Sequence, residues 1–295
     1  RSHCDWSSDV CSSDLDVDAA LASAEKVYEQ TFRVHQVQQC PIEPHISVAW
    51  LDGDERLVVR TATQVPFHTR RMLAPLIGMD IKDVRVIKPR IGGGFGVKQE
   101  MLIEDIVAHL AIATRRPVQL ELTRAEEFYA SRTRHPQTLT YRTGIDVDGN
   151  LVAQELRLVG NTGPYGTHGY TVQVVSGLRG LSSYNCDNKR FDCDVVYTNI
   201  PVPGAYRGYG GPQALFGLEA HMEDIALDLG VDPIDFRRRN WVKVGDEMNI
   251  APHLGEQGTT EEVLDEYPRI ASNGIEECVA QGARAIGWQI GRAHV

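Results

Sequence analysis

Two glycine-rich turns carry the groups best suited to grip an anion. The first is Arg90-Ile91-Gly92-Gly93-Gly94-Phe95-Gly96-Val97-Lys98, with four glycines in five positions. Glycine lacks a Cβ, so backbone N–H groups there can approach a ligand closely, and a helix start that follows adds its own unpaired donors. Such a turn suits an oxo or anionic group; a strained turn that holds nothing is the alternative. The second is Pro203-Gly204-Ala205-Tyr206-Arg207-Gly208-Tyr209-Gly210-Gly211-Pro212-Gln213, with one arginine between two tyrosines. A guanidinium is a rigid fork of donors for oxo or phosphate groups, and a ring beside it can stack on a flat ligand. Here the alternative is an ion pair for Arg207, with Tyr206 and Tyr209 in the core. Nucleotide motifs do not fit. Counting G-x-G-x-x-G from Gly92 puts the third glycine on Val97, and Gly96 is followed by Val97-Lys98-Gln99 rather than Lys-Ser or Lys-Thr. His45, His68, His109, His135, His168 and His221 show no H-E-x-x-H or i, i+4 pairing, and a structural role is expected for each.

Several elements must position these turns. Apolar and polar residues alternate on either side of Asp52-Gly53, with Ile46, Val48 and Trp50 before it and Leu57 and Val59 after it, which predicts a hairpin. Asp148-Gly149-Asn150 repeats the pattern. Ile103, Ile106, Val107 and Leu110 fall at i, i+3, i+4 and i+7, predicting an amphipathic helix that Pro117 closes. Leu215, Leu218, Met222, Ile225, Ala226 and Leu229 form a second stripe, ended by Gly230, and Asp232-Pro233 is the N-cap and first-turn proline of a third helix. The first glycine turn lies between a strand ending near Ile87 and a helix expected to begin near Gln99. Strands and helices mix without regular βαβ alternation, so the fold class is α+β, with mixed sheets and packed helices.

The ends read differently from the middle. Asp9-Val10-Cys11-Ser12-Ser13-Asp14 can be encoded by GAC GTG TGC TCT TCC GAT, whose reverse complement reads Ile-Gly-Arg-Ala-His-Val, the residues at 290–295. Residues 1–15 and 290–295 are therefore expected to be translated sequencing adapter, and 16–289 natural sequence lacking its own start and end. Within that, 16–245 is expected to form a first domain. Residues 246–273, which lose periodicity, are expected to be a linker, and 274–289 the start of a truncated second domain. Cys40, Cys186, Cys193 and Cys278 are scattered, without the paired spacing of a metal knuckle. A formal net charge of -10 argues against nucleic acid as a partner, and no apolar run reaches membrane-spanning length. A cytoplasmic chain without membrane association is expected.

Together the turns resemble the molybdenum-binding portion of the xanthine dehydrogenase and aldehyde oxidase family. Gly92 to Gly96 is similar to the family's G-G-G-F-G loop, and Ala205 to Gln213 to its A-[FY]-R-G-[FY]-G-G-P-Q segment. Thr63-Gln64 stands 31 positions before Phe95, as the family's T-Q pair does. Pro41 to His45, Arg134-His135-Pro136, and Leu229 to Pro233 with Arg237 to Asn240 agree as well, so the resemblance runs from about Asp18 to Trp288. It implies a molybdenum–pterin cofactor, as molybdopterin or its cytosine dinucleotide form, with 2Fe–2S clusters and FAD on partner subunits. It implies a subunit of an enzyme that hydroxylates an electron-poor C–H carbon with water; the base, a glutamate, lies beyond this sequence, so no catalytic residue falls within it and the fragment alone is expected to be inactive.

By position, the resemblance implies that Gln64 lies beside the ligands of the metal. Backbone at Gly94, Phe95 and Gly96 would face the oxo group, and Arg207 would hold the oxo or pterin side. Gln64, Phe95 and Arg207 would thus contact the ligands around molybdenum. Tyr209 would stack on a planar substrate. Gln99 stands where purine-oxidising members of the animal type carry a glutamate, and an amide can hydrogen-bond a ring but cannot take up a proton. The pattern, including Tyr165 to Gly169, is most similar to the separate molybdenum subunit of bacterial multi-subunit xanthine dehydrogenases. A purine-like heterocycle is the expected substrate, with nicotinate-type or aldehyde substrates, or a non-catalytic scaffold of the same fold, as alternatives.

Overall fold

The computed structural model describes residues 16–250, 254 and 268–288. The stretches expected to be adapter lie outside them. Two four-stranded sheets organise the chain. The larger has the order β1 (Lys26–Val34), β6 (Gln137–Ile145), β7 (Leu151–Asn161), β8 (Asn188–Val196), antiparallel except for the parallel β7–β8 pair. The smaller has the order β4 (Val84–Ile87), β3 (Leu57–Thr61), β2 (Ile46–Leu51), β5 (Val118–Glu121), with β3 and β4 parallel. Both predicted hairpins form, β2–β3 across Asp52-Gly53 and β6–β7 across Asp148-Gly149.

Alternation along β7 feeds two faces of the larger sheet. Leu156 and Leu158 join Leu139, Tyr141 and Phe191 beneath α5 (Gly169–Ser182) and α6 (Gly211–Asp228). Ala153 faces the other way and receives Val17 and Leu21 of α1 (Val17–Ser23). Leu218, Met222, Ile225 and Ala226 of α6 are fully buried, as their spacing predicts; each such large side chain is worth about 1.5–3 kcal/mol of transfer free energy. Gly230 follows α6 with φ +66°, and the Asp232 carboxylate caps α7 (Pro233–Asn240) by accepting from Ile234 and Asp235 N–H groups.

The smaller sheet packs against α2 (Pro66–Leu76) and α3 (Glu104–Thr114). Here two expectations are corrected. No helix starts at Gln99: a single 3-10 turn, Val97–Gln99, follows the glycine loop, and α3 begins at Glu104. The Glu104 carboxylate turns back to accept the N–H groups of Leu102 and Ile103 and the Thr61 hydroxyl, which anchors the helix start there. Nor does α3 bury its largest residues. Ile106 and Leu110 are each 46% exposed, while Val107, Ala108 and Ala111 are buried against Ala49, also fully buried, on β2. Small residues on both surfaces let the helix and sheet backbones approach, so burial follows the small face. The expected linker is described at 246–250, 254 and 268–273; Glu247 and Arg269 bridge, and Ile250 and Leu254 are buried in the core of the larger sheet. Beyond it, α8 (Ile275–Ile286) is tied to α7 through the Arg238–Glu276 ion pair, and Trp288 Nε1 donates to Asp232.

Candidate cofactor-binding site

The first glycine loop leaves β4 of the smaller sheet; the second joins β8 of the larger sheet to α6. They meet. Arg207 N–H donates to the Phe95 carbonyl at 2.9 Å, and Gln39 Nε2 donates to the Ala205 carbonyl at 2.6 Å. Gln64, which immediately precedes the residues leading into α2, accepts the Gly96 N–H through Oε1 at 2.9 Å, and its own N–H donates to the Lys98 carbonyl. Sequence positions 64, 94–96 and 205–207 thus form one patch where the two sheets adjoin.

The glycines serve the packing of the loops as well. A Cβ on Gly94 would lie 2.4 Å from Gln64 Oε1, and one on Gly96, at φ +106°, would lie 2.4 Å from the Ala205 carbonyl oxygen. The missing side chains admit the rest of the protein, loop against loop. Phe95 itself takes a left-handed φ of +54° and is 48% exposed, because its neighbours on both sides are fixed by these contacts.

Charged groups hold the first loop from beneath. Lys98, whose side chain is fully buried, donates through Nζ to the Glu43 carboxylate at 2.7 Å and to the Glu43 carbonyl at 2.8 Å. Burial pushes the Glu43 carboxyl up, but hydrogen bonds from Lys98 and from the Gly92 N–H outweigh it and hold it below the usual carboxylate range. His45 and Glu127, both buried, form a second pair; the other imidazole nitrogen faces the Val97 carbonyl at 3.3 Å. Burial likewise pushes the Glu127 carboxyl up, and the hydrogen bonds and charge of His45 carry it below its ordinary value.

The second loop is held by a residue whose role spacing did not reveal. Arg134 donates to Gln213 Oε1 at 2.7 Å and to the Arg207 carbonyl at 2.9 Å, and its guanidinium lies 3.8 Å from the centre of the Tyr206 ring. Neither the ion pair for Arg207 nor the core position for Tyr206 and Tyr209 is found. Arg207 is exposed, and among the described residues its guanidinium has neither an ion pair nor a hydrogen bond; Tyr206 and Tyr209 are half-buried. Gln99 sits half-buried on the 3-10 turn, with its N–H on the Gly96 carbonyl. His135 is buried with both ring nitrogens unpartnered, and burial pushes its imidazole down to about 4; His221 is likewise pushed down to about 4.

The residues present fit a molybdenum–pterin group by the chemistry of their donors. Gln64 spends its oxygen on Gly96 and keeps its amide NH2 as a donor, while the Arg207 guanidinium is uncommitted among the described residues. A donor-rich rim of this kind suits oxo and phosphate oxygens. Among the described residues there is no group of three or more His, Cys, Asp or Glu that could hold a metal ion by side chains alone.

Comparison with known proteins agrees with this chemistry. The profile of the molybdopterin cofactor-binding domain matches residues 5–241. A probable hypoxanthine oxidase of Escherichia coli is 41% identical over 273 residues, covering 92% of this chain and 28% of that protein. A putative xanthine dehydrogenase molybdenum-binding subunit of the same organism is 34% identical over 278 residues, covering 94% of this chain and 35% of that protein. Among solved structures, the aldehyde oxidoreductase of Desulfovibrio gigas superposes with a TM-score of 0.73 at 30% identity, covering 79% of this chain and 26% of the other. The chain spans about a third or less of the length of these proteins. Its two converging loops, its α+β fold and these matches have one meaning: the chain belongs to the molybdopterin cofactor-binding domain family and is related over most of its length to the molybdenum-binding subunits of xanthine dehydrogenases.

Proposed function

We propose that this chain is part of the molybdenum subunit of a hydroxylase that oxidises a ring C–H carbon of a purine-like heterocycle with water. The observation that carries the reading is the convergence of Gln64, Phe95 and Arg207 at one patch, through the Gly96 N–H to Gln64 bond and the Arg207 N–H to Phe95 bond, each 2.9 Å. In this reading the Gln64 amide and the Arg207 guanidinium hold the ligands around molybdenum from two sides, with backbone at Gly94, Phe95 and Gly96 facing the oxo group. Tyr209 offers a flat wall for the substrate ring, and Gln99 hydrogen-bonds its edge as donor or acceptor. When bound, the molybdenum–pterin group supplies the two-electron redox chemistry and acidifies water at neutral pH. Electrons leave through 2Fe–2S and FAD centres on partner subunits, the base resides outside this chain, and the assembled enzyme works in the cytoplasm.

The domain reading carries over with it: 16–245 as the first cofactor-binding domain, 246–273 as a linker and 274–289 as the start of a second. Aldehyde oxidation is the second reading, favoured by the structural likeness to an aldehyde oxidoreductase and by the neutral amide of Gln99. Assay of the full-length subunit with its partners tests both. Molybdenum and pterin in about one-to-one ratio with the subunit, and turnover of hypoxanthine or xanthine above that of aldehydes, is the expected result. Correctly assembled protein free of molybdenum and pterin would end both readings, and preferential aldehyde turnover would select the second. Residues 16–289 alone should show no turnover.

A further inference from the structure

Tyr209 does not stand by itself. Its hydroxyl is hydrogen-bonded to Nδ1 of His168, the two rings lying edge to face with centroids 5.4 Å apart. Nε2 of His168 is 3.4 Å from Oε1 of Glu100, and the other carboxylate oxygen of Glu100 receives Nε of Arg132 at 2.5 Å. The row draws on four separate segments: the stretch after α4 (Arg124–Ala130), the residue that ends the 3-10 turn, the start of α5 and the second glycine loop. Arg132 and Glu100 are only 17% and 15% exposed, so solvent does little to loosen their pair.

The order of the row determines who donates. The negative charge of Glu100, 3.4 Å from Nε2 and not hydrogen-bonded to it, favours the tautomer that carries the imidazole proton on Nε2 and leaves Nδ1 as an acceptor. The Tyr209 hydroxyl must then be the donor to His168. Burial, ahead of the opposing pull of Glu100, holds the imidazole below its ordinary value, in keeping with the neutral form this arrangement uses.

We infer that Glu100 and His168 are positioning residues that hold the Tyr209 ring at one orientation and commit its hydroxyl proton. The inference rests on Tyr209 being a wall of the substrate site. Toward a bound heterocycle, Tyr209 then presents a fixed ring face and an oxygen able only to accept. Ligands with an N–H at that edge are favoured over ligands with a bare ring nitrogen there.

Three variants of the assembled full-length enzyme test this: His168→Leu removes the acceptor, His168→Gln restores one through its amide oxygen, and Tyr209→Phe removes only the hydroxyl. Loss of one hydrogen bond to an aligning group corresponds to roughly a fivefold to tenfold rise in KM for hypoxanthine, with kcat changed less than about twofold. His168→Gln should recover most of the loss, and His168→Leu should add nothing in the Tyr209→Phe background. Crystal structures of the same variants read the ring directly, which should move in His168→Leu and stay in His168→Gln. A ring unmoved by His168→Leu, or losses that add in the double variant, would overturn the inference. If the wild-type enzyme oxidises no heterocycle, the functional reading fails, while the ring positions still decide the role of His168.

Discussion

The two loops that meet at the site are secured by opposite kinds of chemistry. The first stands on charged groups withdrawn from water: the Lys98 ammonium on Glu43, and the Glu127 carboxylate on His45 beside the Val97 carbonyl. The second stands mainly on hydrogen bonds to carbonyls, with Arg134 on the Arg207 carbonyl, Gln39 on that of Ala205, and Gly204 N–H on that of Thr133. Buried ion pairs are stiff and costly to break singly, because the partner left behind is an uncompensated charge. Bonds to carbonyls are individually worth about 1 kcal/mol and fail one at a time. The first loop, whose backbone is proposed to face the oxo group, is therefore the rigid half of the patch. The second, which carries Arg207, is the adjustable half, apart from the Tyr209 ring bonded to His168.

The contrast is sharpest at Glu43. Glu43→Gln leaves the fully buried Lys98 ammonium without its countercharge and should cost about 3–5 kcal/mol in denaturant unfolding. A loss under about 1 kcal/mol would mean the first loop is not charge-anchored.

Acid separates the loops by a different route. The unfolded chain protonates His135 near 6.5 but the folded chain only near 4, so its contribution to stability is complete above 6.5 and declines as the pH falls toward 4. Glu43 and Glu127 behave otherwise: their carboxyls are held below the ordinary 4.5, so their contribution persists above that value and is lost only as the pH drops through the folded one. His221 declines over the same range as His135, so each imidazole withdraws up to about 3 kcal/mol by pH 4. Backbone hydrogen exchange should show protection around residues 203–210, near His135, fading between pH 6.5 and 4.5 while 92–98 stays protected. Simultaneous loss in both segments would erase the distinction.

Gly96→Ala strikes the junction. Its positive φ and the 2.4 Å approach to the Ala205 oxygen force the loops apart, at a cost of about 2 kcal/mol. The expected readout is faster exchange of the Arg207 N–H, and an unchanged rate would contradict the described contact. Arg134→Met is the smallest of the set, about 1–2 kcal/mol, since it removes two hydrogen bonds and a cation–π contact from the adjustable half. Its effect should fall on cofactor retention more than on global stability.

Local sequence made much of this legible. Asp-Gly turns flanked by alternating residues marked both hairpins, and the α6 stripe with its Gly230 stop and Asp232-Pro233 cap was readable because each signal acts within a few residues. The α3 face was misread because Ile106 and Leu110 are more apolar than Ala108 and Ala111, yet close packing on β2 favours the smaller pair. Loop glycines marked the junction only in part, since what crowds them arrives from residues 64 and 205, distant in sequence. The pairing of Glu100 with His168 carried no local signal; 68 positions separate them, and only the joining of two sheets makes them neighbours.

The Arg207 N–H to Phe95 carbonyl bond runs between main-chain atoms. Replacing the side chain at either residue leaves both of its atoms in place, so the spacing of the two walls is indifferent to which side chains line them. If Gln99 and Tyr209 line the substrate site as proposed, either can be exchanged without disturbing this link between the loops.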